Sequence, residues 1–195
     1  MKYFLLIASC LFSFSSRAQL PDKEIRDLKG GRVVTDNSFV YWLPFAEGKK
    51  KLLIQAYNSS FSHKGELSLD FKMKEGTPIR AARAGVVTAT KADSDKGGLK
   101  DEYLSEGNHI IIQHDDGSVA MYWHLKKDGV LVKEGDNVKQ GQLIGYSGNT
   151  GYTAFPHLHF QVQDKNGNDI ATRFLTRKGI RYLRPGRWYR SVSMQ

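Results

Sequence analysis

Along most of this chain, apolar and polar residues alternate in short runs, with glycine, asparagine and aspartate between them. The runs Leu52–Tyr57, Leu67–Phe71, Ile79–Ala82, Gly85–Lys91, His109–His114, Ser118–Leu125, Gln142–Ser147 and Leu158–Gln163 carry β-branched or alternating patterns that suit strands. From Leu52 onward no stretch holds the 3.6-residue period of an amphipathic helix. Short, evenly spaced strands predict an all-β sandwich or barrel. One interval breaks the rhythm: Ala92 to Gly107 is rich in Asp, Glu and Lys around Gly97-Gly98, and it predicts a mobile surface loop placed to wall a cleft. Residues 19–50 form a polar lead-in that ends in the apolar run Phe39 to Phe45, predicted to pack against the sheet without a core of its own.

The first residues have a different pattern. Lys2, the apolar run Tyr3 to Phe14 and the small-x-small triplet Ser16-Arg17-Ala18 predict a signal peptide over residues 1–18, and hence export to a periplasm, cell envelope or extracellular space. That run is too short to span a bilayer, and no other is longer. Ile7-Ala8-Ser9-Cys10 also fits a lipoprotein-type processing box, an alternative in which Cys10 is the lipid anchor. Cys10 is the only cysteine of the 195 residues, so cleavage after Ala18 leaves no thiol, and any metal has to be held by His, Asp or Glu.

At 40% hydrophobic and 11% aromatic residues the chain has an ordinary globular composition, which excludes wholesale disorder. Its net charge of +9, lowered by two when Lys2 and Arg17 leave with the leader, is concentrated at the C-terminal end. Arg173, Arg177, Lys178, Arg181, Arg184, Arg187 and Arg190 follow one another without an acid and are interleaved with Phe174, Tyr182, Trp188 and Tyr189. Residues 173–195 therefore read as a basic, aromatic arm packing its rings on the domain. In an exported protein such an arm suits anionic envelope polymers, and nucleic acid is not expected as a partner.

The candidate chemistry centres on Phe155-Pro156-His157-Leu158-His159-Phe160. On a strand, residues two apart share a face, so His157 and His159 project side by side at roughly 6 to 7 Å. That arrangement suits a metal site in which one imidazole holds the ion and the other reaches water or substrate. The remaining histidines are His63, His109, His114 and His124. His109 and His114 flank an isoleucine run and read as structural or surface residues; His124 ends a strand rich in large aromatics. Asp70, set between Leu69 and Phe71, needs either solvent on its own face or a buried partner, and metal ligation would supply one.

At this point the order of motifs becomes specific. Gly76-Thr77-Pro78-Ile79-Arg80-Ala81-Ala82, Gly85-Val86-Val87, Gly107-Asn108-His109, Tyr122-Trp123-His124-Leu125, Gly135-Asp136-Asn137-Val138, Ser147-Gly148-Asn149-Thr150-Gly151 and Pro156-His157-Leu158-His159-Phe160 together resemble the lysostaphin-type, or LytM-like, zinc metallopeptidases over about residues 52–164. The resemblance implies an all-β duplicated hybrid motif (barrel-sandwich hybrid) over a domain of residues 51–172. It also implies a zinc endopeptidase that cuts peptide cross-links or stem peptides of bacterial peptidoglycan. Carried over position by position, it gives His63, Asp70 and His159 as zinc ligands and His124 and His157 as the unligated catalytic pair, with the division of labour within the pair left open. Two His and one carboxylate with an open position are the composition of a catalytic zinc site.

The interval between His63 and Asp70 departs from the family pattern, being longer than usual, and Glu66 stands four residues before Asp70 as a substitute ligand. A wide turn would be needed to return His63 to the site. Three other readings stay open: a catalytically silent envelope scaffold or activator of another hydrolase, a peptidase of protein rather than peptidoglycan, and a biotinyl- or lipoyl-like carrier suggested by Val130 to Gly145. A latent form is a further expectation, with Asn108 or a lead-in residue placed over the metal.

Overall fold

The computed structural model describes residues 22–30 and 39–193; the predicted signal peptide and Cys10 lie outside them. The architecture is an eight-stranded antiparallel sheet with smaller sheets against it. Across the large sheet the strands run Asn137–Val138, Gly85–Lys91, His109–Gln113, Val119–Trp123, His157–Gln163, Leu69–Lys72, Lys50–Gln55 and Arg187–Arg190. A three-stranded sheet of Pro78–Arg80, Leu143–Ser147 and Leu125–Val130 supplies the second layer. The alternation seen in the sequence explains the packing. Leu158, Phe160 and Val162 point inward and are buried with Leu53, Phe71, Ile110, Ile112 and Tyr122, and Ile79, Ile144 and Leu125 close the core from the smaller sheet. Tyr122 and Phe160 meet edge to face at 5.2 Å between ring centroids.

The predicted strand over Ser118–Leu125 is in fact two. Val119–Trp123 ends at His124, whose φ of 64° is left-handed, and Leu125–Val130 continues in the other sheet. The chain changes layers at that residue. Nothing in the alternation marks the break, because no glycine or proline stands there.

The interval from Ala92 to Gly107 is more ordered than a mobile loop. Gly97–Gly98 pairs in parallel with Gly151–Tyr152, and Asp101–Glu106 forms a 3-10 helix. Ser94 is buried, its Oγ donating to Glu106 at 2.7 Å and its N–H to Asn108 Oδ1 at 3.1 Å. At Gly97 a Cβ would lie 2.0 Å from the Asn149 carbonyl oxygen, so the glycine is what lets the two strands approach.

Both ends of the described chain are built into the fold. Helix Asp22–Gly30 buries Ile25 and Leu28 in the core, and Val40–Tyr41 pairs in parallel with Arg173–Thr176. The expected C-terminal arm is two further elements of sheet. Arg173–Thr176 and Gly179–Tyr182 form a hairpin whose Phe174 and Tyr182 are buried. Arg187–Arg190 then pairs with Lys50–Gln55 as the edge strand of the large sheet. Trp188 alone among the arm's predicted packing rings is largely exposed, at 58%.

Candidate active site

The outward face of strand His157–Gln163 carries His157, His159 and Gln161, opposite the buried row Leu158, Phe160 and Val162. Pairing with Leu69–Lys72 sets His159 directly against Asp70, and pairing with Val119–Trp123 sets it against Trp123, one residue before His124. Register therefore fixes three of the five predicted site residues.

His63 arrives by a loop. His63 N–H donates to the Ser59 carbonyl at 3.1 Å, Glu66 N–H to the His63 carbonyl at 2.9 Å, and Asn58 N–H to the Glu66 carbonyl at 2.6 Å. Asn58, left-handed at φ 47°, also accepts from Gly65 N–H at 2.8 Å through Oδ1. This closed turn absorbs the long interval and brings His63 Nε2 to 3.2 Å from Asp70 Oδ2. The ring centroids of His63 and His159 are 5.0 Å apart.

Asp70 is the hub. His159 Nδ1 lies 3.0 Å from Oδ1, Gln55 Nε2 donates to Oδ2 at 3.2 Å, and His157 Nε2 stands 3.6 Å from Oδ1. Burial pushes the Asp70 carboxyl up, but the His159 hydrogen bond and the two imidazoles beside it overcome that and hold the group well below the usual carboxylate range. The same contact acts in reverse on His159: burial pushes the imidazole down and Asp70 raises it above its ordinary value.

His63 supplies the test of whether a metal fits. The ring is 1% exposed, and neither nitrogen has an aligned hydrogen-bond partner among the described residues; Nε2 is near Asp70 in distance, not in direction. A buried imidazole left in that condition is costly unless a cation takes its lone pair. His63, Asp70 and His159 thus converge one carboxylate and two imidazoles, the donor set of a catalytic zinc site. Glu66 converges too: one donor atom from each of His63, Glu66 and His159 lies within 4.8 Å of the others. Asp70 is the better third donor, because it touches both imidazoles while Glu66 Oε2 accepts from Ser68 Oγ at 3.0 Å.

His124 and His157 are held differently. His124 Nδ1–H donates to the Thr150 carbonyl at 2.8 Å, and His157 Nδ1–H to the Phe155 carbonyl at 2.8 Å. Each bond fixes the tautomer and leaves Nε2 as the unprotonated nitrogen. The rings are 4.6 Å apart between centroids. Burial, with the titratable rings of His157 and His159 alongside, pushes His124 down to about 3, and burial lowers His157 as well, so both are neutral near pH 7.

The support for His124 was not visible in the strand pattern. Gly148 N–H donates to the His124 carbonyl at 2.8 Å, and Thr150 Oγ1 to the Leu125 carbonyl at 2.8 Å. A Cβ on Gly151 would fall 2.7 Å from Gly107 Cα, and φ there is 84°. Asn108, offered above as a latency residue, is fully buried and bonds the Ser94 and Leu125 carbonyls; it is a structural tie and does not line the cleft. Nor, among the described residues, does any lead-in residue. His109 and His114 stand apart, with Nδ1 atoms bonded to the Gly107 and Ala84 carbonyls at 3.0 and 2.8 Å. The cleft encloses about 510 Å³, and its walls include Phe61, Leu99, Leu104, Tyr152 and Phe155. The ordered 92–107 segment therefore does form one wall.

Comparison with known proteins assigns this arrangement to a family. The pattern of Peptidase family M23 matches residues 62–172, more than half of the chain and all five predicted site residues. The chain belongs to that family. Among relatives of this M23 chain, the peptidoglycan DD-endopeptidase ShyA of Vibrio cholerae is 40% identical over 93 residues, which are 48% of this chain and 19% of that protein. The glycyl-glycine endopeptidase ALE-1 of Staphylococcus capitis is 42% identical over 93 residues, 48% of this chain and 23% of that protein. The match spans about a fifth of the length of such relatives. In structure, a zinc-containing peptidase from Vibrio cholerae superposes with a TM-score of 0.52 at 27% identity, over 67% of this chain and 38% of that one. The fold of the M23 chain is accordingly the β-rich hybrid motif that its sequence predicts.

Proposed function

We propose that this M23 protein is an exported, zinc-dependent endopeptidase that hydrolyses peptide cross-links or stem peptides of bacterial peptidoglycan. The observation that carries the reading is the convergence on Asp70: two imidazoles within 3.2 Å of its carboxylate, one of them buried with no aligned partner, and two neutral imidazoles beside them. Relatives named as peptidoglycan or glycyl-glycine endopeptidases support the substrate class, and a structural neighbour that contains zinc supports the metal.

His63, Asp70 and His159 would hold the ion, which supplies Lewis-acid polarisation of a carbonyl and a lowered pKa for water. The chain's own residues supply the rest. A neutral imidazole with Nδ1–H tied to a backbone carbonyl presents Nε2 as a base, so His124 or His157 would accept the proton of the attacking water. Once protonated, that imidazole would donate to the developing oxyanion or to the leaving amine. Gln55 Nε2 donates to Asp70 Oδ2 and orients the carboxylate. Phe61, Tyr152 and Phe155 give an extended peptide an apolar wall against which water is excluded. A catalytically silent scaffold would have no use for two imidazoles poised in this way.

The test is digestion of purified peptidoglycan sacculi by the protein without its leader. Mass spectrometry should show cross-linked muropeptides giving way to monomers or shortened stems, with one new amino group per bond cut. Chelation should stop the reaction and added zinc restore it. Unchanged sacculi with zinc-loaded protein would refute the substrate.

A further inference from the structure

Away from the cleft, the large sheet ends in a groove of about 600 Å³ whose charged lining is entirely cationic: Lys50, Arg177, Lys178, Arg181, Arg184, Arg187 and Arg190. Among the described residues none of these seven forms an ion pair with Asp or Glu, in contrast to Arg83, which is bonded to Asp115 and Asp116. Seven uncompensated cations repel one another, so the groove is a standing field for an anion. Trp188 lies in it, 58% exposed, with Lys50 Nζ 5.7 Å from its ring centroid.

Register connects this groove to the candidate active site. His157 pairs with Lys72, Lys72 with Leu52, and Leu52 with Trp188. Residues directly opposite in antiparallel strands share a face, so the row His157, Lys72, Leu52, Trp188 lies abreast on the outward side of the sheet. Three strand spacings separate its ends, roughly 14 Å. Lys72 is exposed, with its Nζ 3.9 Å from the Phe155 ring centroid at the cleft wall, which adds a cation midway.

We propose that the groove and this row bind an acidic polysaccharide. Phosphate or carboxylate oxygens would sit on the guanidinium groups, which match them in two-pronged hydrogen bonds. A sugar ring would stack on Trp188. The strand would then run across Leu52 and Lys72 toward His157. Resting on the peptidase reading above, the inference adds to it a site on the enzyme for an acidic polymer that lies beside the peptide substrate. An alternation of guanidinium groups with one flat aromatic suits a chain bearing both charge and sugar faces, and the row leads to a peptidase centre.

The experiment measures binding of the intact mature protein, as purified, to labelled polygalacturonate, a phosphomannan, inorganic polyphosphate and oligo(dT). None has a peptide bond, so cleavage plays no part in the readout. Polygalacturonate and phosphomannan separate carboxylate from phosphate as the recognised group. Binding to one or both polysaccharides should weaken steeply with salt, and Arg181→Glu/Arg184→Glu/Arg187→Glu should weaken it by about 100-fold or more. Trp188→Ala should cost roughly 10-fold on the polysaccharides and leave bare polyphosphate binding unchanged, a readout that misfolding would not give. Both variants should cut a short soluble peptide at the wild-type rate, so loss of the groove and failure of the peptidase reading are told apart. Unaltered polysaccharide binding in the triple variant, an equal effect of Trp188→Ala on polyphosphate, or tighter binding of oligo(dT) than of either polysaccharide would overturn the proposal.

Discussion

The two pairs of histidines have distinct requirements, and substitution should separate them. His63 and His159 each have a ring nitrogen within 3.2 Å of the Asp70 carboxylate, whereas His124 and His157 have Nδ1 atoms committed to backbone carbonyls. His63→Ala and His159→Ala are expected to lose bound zinc together with activity. His124→Ala and His157→Ala should keep the metal and lower kcat by about 10²- to 10⁴-fold, the usual worth of a positioned general acid or base; metal analysis beside kinetics on each variant checks this. Glu66→Gln should retain both metal and activity if Asp70 is the carboxylate ligand, and loss of metal in that variant would move the assignment to Glu66.

At the scale of elements, the backbone around His124 is the most demanding part of the site. Gly151 occupies left-handed space with its Cα hydrogens against Gly107. Gly151→Ala should destabilise the protein by about 1–3 kcal/mol and reduce kcat through displacement of His124, measured by denaturant unfolding and by kinetics at saturating substrate. The strands that carry His157, His159 and Asp70 were legible in the sequence, because alternation over Leu158 to Gln163 fixes which side chains face outward and a period of two leaves no other choice. The turn at His124 was not. A non-glycine residue in the left-handed region leaves no mark on the pattern, and it is held there by Gly148 and Thr150, from the connection between Leu143–Ser147 and Gly151–Tyr152. The 92–107 segment was misread for a related reason: its charges suit a solvated loop, while the ties that order it run through Asn108 and the backbone of Gly97. The arm at 173–190 has the alternation of a strand in Arg187–Arg190, hidden under its charge.

For the whole molecule, the core and the ionisable groups away from the candidate site set the stability. Phe71, fully buried against Phe45 at 5.7 Å and Phe174 at 6.3 Å, ties the sheet to the C-terminal hairpin, and Phe71→Ala should cost about 3–5 kcal/mol in unfolding free energy. His114 makes stability depend on pH. Its Nδ1–H is given to the Ala84 carbonyl, its Nε2 is buried without a partner among the described residues, and burial, with the Arg83 charge beside it, lowers its pKa from the ordinary 6.5. Above pH 6.5 the folded and unfolded forms are both neutral and the contribution is complete. As the pH falls below that value the unfolded chain takes up a proton that the folded one resists, and stability is lost at up to about 1.4 kcal/mol per pH unit until the folded pKa is reached. His114→Gln should flatten that part of the curve in urea melts between pH 7 and 4; a slope unchanged from wild type would contradict it.

The claim on which the rest depends is a zinc site built from His63, Asp70 and His159 that cuts peptidoglycan peptides. Its most direct test is elemental analysis of the purified mature protein and of His159→Ala after identical zinc reconstitution and desalting, each sample assayed in parallel for peptide release from peptidoglycan. About one zinc per wild-type chain with chelator-sensitive release is expected, and neither in the variant. A wild-type protein that takes up no zinc, or a His159→Ala protein that keeps both metal and activity, would contradict it.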